Sequence, residues 1–157
     1  MQNLRFTMIF LRYHHNVLML NRKNPPLMGL WTGVGGKIEH GETPLASACR
    51  EVQEETAISL DDLDFAGINT WFSADEHSGM YLYVADIDGA GYQTPRLMDE
   101  GILEWKPVSW LLDPNNEGIP THIRRFLPLV LAGERYEHRC YFEGNEIVRF
   151  DRVPLHI

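Results

Sequence analysis

The sequence predicts an α/β fold: a mixed β-sheet held between helices. Three observations carry this. Apolar runs of strand length recur along the chain, one amphipathic helix follows a glycine-rich stretch, and the C-terminal segment reads as a β-hairpin.

Residues 6–11 and 17–20 are apolar strands, joined by a His14-His15-Asn16 turn. Residues 21–30 form a loop around Lys23-Asn24-Pro25-Pro26, and the glycine-rich residues 31–38 hold a short strand ending in a turn. A helix follows. Thr43 suits its N-cap and Pro44 its first position. Leu45, Ala48, Cys49, Val52 and Thr56 then recur at helical spacing as a core-facing stripe. Residues 64–72 and 80–85 are paired strands, with Tyr81 and Tyr83 alternating, and the polar residues 73–79 turn between them. Residues 86–96 are a loop. Residues 102–108 are a strand that leads into a short helical piece at Trp110-Leu111-Leu112. Residues 121–131 are helical, and residues 139–142 and 146–150 form a hairpin around Gly144-Asn145.

The totals narrow the function. A chain of 157 residues with 44% apolar content suits one domain spanning 1–157. Its formal net charge of −8 is unfavourable for a nucleic-acid polymer, whose phosphates attract clustered Lys and Arg. A small nucleotide remains open, because a bound divalent cation neutralises charge locally. Two cysteines make no disulfide framework, no CxxC or histidine spacing suggests zinc, and no apolar run reaches signal or membrane length. The expected location is therefore the cytoplasm, away from membranes.

The chemistry concentrates in the first helix. Glu51, Glu54 and Glu55 stand at i, i+3 and i+4, offsets that share one side of a helix. They are expected beside the apolar stripe, not within it. Three like charges together repel unless they hold a cation. Mg²⁺ takes hard oxygen ligands and suits a few carboxylates plus phosphate oxygens. Upstream, Gly33, Gly35 and Gly36 offer a tight backbone turn.

Gly36, Glu42, Arg50, Glu51, Val52, Glu54, Glu55 and Ile58 stand at the offsets of the Nudix box, and the chain resembles that family. The one departure is Ala57, where the family has glycine for the helix C-terminus; alanine is tolerated if the helix ends differently. The resemblance implies an α/β/α sandwich and a Mg²⁺-dependent hydrolase, with Mn²⁺ able to substitute. It implies metal ligation by Glu51, Glu54, Glu55 and the Gly35 carbonyl, an orienting role for Arg50 and a supporting one for Glu42. It also implies a further distant carboxylate, as ligand or general base. Asp99-Glu100 ahead of the strand containing Trp105 resembles the MutT-like branch, so Glu100 is the candidate and Glu76 its competitor. Lys37 could contact a phosphate.

Residues 126–131 and 141–147 resemble the oxidised-purine triphosphatases of that branch. The base-reading residues differ: Thr32 replaces an asparagine, and Pro120-Thr121-His122 replaces a segment with paired aspartates. The expected substrate is a nucleoside triphosphate, oxidised dGTP among the candidates, cut to a monophosphate and pyrophosphate. ADP-ribose and dinucleoside polyphosphate hydrolysis rank lower, since residues 73–76 lack those branches' proline and tyrosine markers. A non-catalytic nucleotide sensor is the alternative from another class, and a homodimer is common in the family.

Overall fold

A computed structural model describes residues 4–155. The elements run β1 (Phe6–Tyr13), β2 (Asn16–Arg22), β3 (Trp31–Thr32), β4 (Val34–Lys37), α1 (Pro44–Thr56), β5 (Asp64–Phe72), β6 (His77–Asp86), β7 (Arg96–Met98), β8 (Gly101–Pro107), α2 (Val108–Leu111), α3 (Thr121–Leu131), β9 (Tyr136–Glu143) and β10 (Glu146–Pro154). All the strands join one mixed sheet in the order β10-β9-β5-β6-β1-β2-β8-β7, with β3 on β2 and β4 on β1. The parallel pairs are β1 with β6 and β5 with β9.

Side-chain alternation explains why helices cover both faces. In β1, Ile9 and Leu11 point to one face and Phe10 to the other; in β2, Leu18 and Leu20 oppose Val17 and Met19. The first set packs with Ala48 and Val52 of α1. The second packs with Ile123, Phe126, Leu127 and Val130 of α3. These are the two layers of an α/β/α sandwich. Among the described residues no helix is long and apolar enough to cross a membrane.

Several details differ from the sequence reading. β6 starts at His77, inside the segment read as a turn, and β9 at Tyr136, each three residues before the expected strand. The glycine-rich segment holds two strands, β3 and β4, on different partners, and β7 lies within what reads as loop. β7 is only three residues long and its Leu97 is exposed, so it carries no burial pattern.

Candidate active site

β4 is squeezed between β1 and α1. Gly35 lies opposite Met8 and Gly36 opposite Thr7 in the antiparallel β1–β4 pair. At Gly35 φ is +155°, and a Cβ there would overlap the Thr7 carbonyl oxygen. A Cβ at Gly36 would come within 2.6 Å of Glu51 Oε1. Glycine is needed here because sheet backbone and helix carboxylates share the space.

α1 begins as expected. Thr43 Oγ1 accepts from the Ala46 N–H at 3.1 Å, and Pro44 occupies the first turn. Its end corrects the expectation for Ala57. The helix closes in the usual left-handed way, and Ala57 itself takes φ 66° and ψ 14°, its N–H bonded to the Gln53 carbonyl.

Arg50 gathers the acids. Its Nε and Nη2 donate to Glu42 at 2.7 and 2.9 Å, and its Nη1 donates to Glu51 at 3.0 Å and Glu54 at 3.1 Å. The Arg50 fork holds the Glu42 carboxyl down at about 2, helped by the Glu39 N–H.

The three helix carboxylates are unequal. Glu54 is exposed and Glu51 nearly covered. Glu55 is 6% exposed, which corrects its expected place beside the apolar stripe: it lies on the buried face. Its Oε2 accepts from the Gly35 N–H at 2.7 Å. Burial raises the Glu55 carboxyl to about 8; the Gly35 N–H opposes this, while the charges of Glu51 and Glu100 add to it. Burial likewise raises Glu51, against the pull of Arg50.

Arg22, Gly35, Gly36, Glu51, Glu54, Glu55, Asp99 and Glu100 line one acidic cleft. Glu100 reaches it because the β7–β8 turn sits over the end of β2, where the Lys23 N–H donates to the Glu100 carbonyl at 3.2 Å. Glu76 lies outside the cleft, in the lining of the neighbouring cavity, accepting from Trp71 Nε1 at 3.3 Å and facing Arg5 at 3.6 Å. Lys37 is exposed and outside the cleft lining; its carbonyl accepts from Arg50 at 3.2 Å. Among the described residues no three acids converge ready-made on one point. The donor set nevertheless fits a hard divalent cation: four glutamates line one cleft, and burial raises the carboxyls of Glu51 and Glu55, a cost that nearby positive charge would offset.

Beside the cleft lies a cavity of about 530 Å³, walled by Phe6, Met8, Trp71, Met80 and Phe142. Thr32 is buried in its lining, its hydroxyl donating to the Gly33 carbonyl at 2.9 Å. His122 lines it too, and burial lowers its imidazole to about 4. Gly35, Gly36 and Arg22 line both spaces. Sequence reasoning missed Arg22 and Asn69. The available signal was strand alternation, which puts Asn69, Trp71 and Ser73 on one face of the sheet.

The NUDIX domain matches residues 1–129. The chain belongs to the Nudix family. It is 32% identical over 158 aligned residues to the Nudix hydrolase YvcI of Bacillus subtilis, covering 98% of this chain and 96% of that one. It is 30% identical over 134 residues to the NAD-capped RNA hydrolase NudC of Haemophilus influenzae, covering 84% of this chain. There it spans about half the relative's length, 49%. The MutT protein of Bacillus halodurans superposes with a TM-score of 0.74 at 23% identity, covering 94% of this chain and 96% of that one, a likeness of fold. The Nudix match ends at residue 129, yet β9 and β10 beyond it complete the same sheet and the cavity wall.

Proposed function

We propose that this Nudix hydrolase is a Mg²⁺-dependent pyrophosphohydrolase acting on nucleoside triphosphates, oxidised dGTP among them, and that residues 1–157 work as one unit. The observation that carries it is the adjacency of the acidic cleft and the apolar cavity, joined through Gly35, Gly36 and Arg22. A base and sugar suit the cavity, and a phosphate chain suits the cleft.

Glu51, Glu54, Glu55, Glu100 and the Gly35 carbonyl would hold the cation, which supplies positive charge against the phosphate oxygens. Arg50 keeps Glu51 and Glu54 in place through its fork. Arg22, at the junction, meets the phosphates as they leave the cavity. Water attacks one phosphorus, the bridging P–O bond breaks, and a cleft carboxylate takes the water's proton. The products are a nucleoside monophosphate and pyrophosphate.

Glu54→Gln and Glu55→Gln test this. Loss of pyrophosphate release by about 100-fold or more, with circular dichroism unchanged, is expected. Undiminished turnover in both variants would sink the assignment of the cleft.

A second reading is a nucleotide joined to a larger moiety: ADP-ribose, a dinucleoside polyphosphate or an NAD cap. The NudC relationship favours it, as does a second opening of about 890 Å³ that shares His122, Phe142, Gly144 and Asn145 with the cavity. A panel of normal and oxidised dNTPs, ADP-ribose, dinucleoside polyphosphates and NAD-capped RNA separates the two by rank of kcat/KM. Nucleotide binding without cleavage of any of them, with Mg²⁺ or Mn²⁺, would instead indicate a sensor.

A further inference from the structure

Four buried polar side-chain atoms among the described residues have no partner: Ser47 Oγ, Asn69 Oδ1 and both ring nitrogens of His138. Of these residues only Asn69 lines the cavity. Its side chain is fully buried. Its orientation is settled by chemistry. Asn69 Nδ2 lies 2.9 Å from the His138 carbonyl oxygen and 3.5 Å from Cys140 Sγ, and a carbonyl can only accept, so the nitrogen must face β9. The oxygen is left without a partner, in a residue that lines the cavity. An unmatched buried acceptor costs free energy that a ligand donor recovers.

The surroundings narrow the donor. Neighbouring hydroxyls are committed: Thr32 donates to Gly33 and Thr7 to Gly36. His122 is neutral, its imidazole lowered to about 4 by burial. The walls, Phe6, Met8, Trp71, Met80 and Phe142, offer flat and apolar contact to a ring. A ring imino N–H always has a carbonyl oxygen beside it, two in thymine and uracil and one in guanine, which would face this acceptor and repel it. An exocyclic amino group projects beyond the ring and brings no such oxygen.

We propose that Asn69 is a specificity-determining residue: its Oδ1 accepts a hydrogen bond from the exocyclic amino group of the bound base, so the cavity selects amino-bearing bases. This rests on the nucleoside triphosphate reading of the same site and adds its base chemistry. It also supplies, from β5, the side-chain amide that Thr32 lacks.

The test compares deoxynucleoside triphosphates that differ by one amine, guanine against hypoxanthine and adenine against unsubstituted purine. With the unmodified protein, removing the amine should lower kcat/KM by about 10-fold or more in at least one pair. Asn69→Leu, with the same branched shape and no acceptor, should bring the members of that pair to near-equal turnover. Equal turnover within both pairs by the unmodified protein overturns the proposal and means that water suffices for the Asn69 oxygen. Discrimination that persists in folded Asn69→Leu overturns it too. Should Asn69→Leu fail to fold, the same nucleotide pairs are run on Asn69→Ala, and discrimination that persists there overturns the proposal. Absence of hydrolysis for every triphosphate, with a cleaved ADP-ribose or NAD-cap substrate, overturns the triphosphate reading itself and is distinct from loss of selectivity.

Discussion

The Gly35 N–H donates to Glu55 Oε2 at 2.7 Å, tying the sheet strand beside β1 to the buried carboxyl of α1. The two neighbouring glycines therefore carry different duties. Gly35→Ala collides with the Thr7 backbone, which cannot yield. It should destabilise the fold by about 2–4 kcal/mol, read as a lowered urea midpoint. Gly36→Ala meets only the Glu51 carboxyl tip, which can swing away. It should keep the midpoint and lose activity; the reverse pattern would mean that Glu51 does not need its present position.

Arg50 bonds Glu42 through two nitrogens and reaches Glu51 and Glu54 with a third. Lysine has one nitrogen and no fork. Arg50→Lys should lower kcat by about 10-fold or more while the circular dichroism spectrum stays native. Steady-state kinetics on the purified variant check this.

Arg22 is the cation that lines both the cavity and the cleft. Arg22→Ala should raise KM for a triphosphate by about 10-fold and change kcat less, as expected for a charged hydrogen bond to the phosphate chain. An unchanged KM would place the phosphates elsewhere.

Ala57 bears the cost of a left-handed residue with a Cβ, about 1–2 kcal/mol. Ala57→Gly removes it but gives the unfolded chain more freedom, worth about 0.5–1 kcal/mol the other way. A net stabilisation of about 0.5–1 kcal/mol and a higher Tm are expected, with turnover unchanged.

His138 lies fully buried between the rings of Phe126, Tyr136 and Phe150 with both nitrogens unpartnered. Burial lowers its imidazole to about 4, with Arg152 adding to the effect, while an unfolded histidine titrates near 6.5. Between those values the unfolded chain binds the proton and the fold does not. The contribution of this histidine to stability is thus complete above pH 6.5 and falls as pH drops toward 4, while the raised carboxyl of Glu55 contributes the opposite slope. His138→Phe should flatten that slope in thermal melts at fixed salt. His122, lowered to about 4 by its own burial, leaves a residual slope.

Sheet and helix order was legible because both rest on periodicity. Ile9 against Phe10, and Leu18 against Met19, show in the sequence as alternating apolar faces. The grouping of Glu51, Glu54 and Glu55 was legible for the same reason. Burial of Glu55 was not, since it depends on β4 lying against α1, a contact between elements rather than a property of either. Asn69 was hidden differently. Alternation assigns it to a face, but only the packing of α3 and β9 makes that face a cavity. β7 left no trace because three residues carry no period.

The distribution of lining residues along the chain also sets an order of assembly. Every residue of the acidic cleft lies between Arg22 and Glu100, whereas the cavity needs His122, Phe142, Gly144 and Asn145. The Asn69 amide is oriented by His138 and Cys140. On the ribosome, then, all the cleft's residues are synthesised before the far wall of the cavity exists, and a polypeptide that stops short of β9 carries every acid of the cleft without the surface that would choose what reaches it.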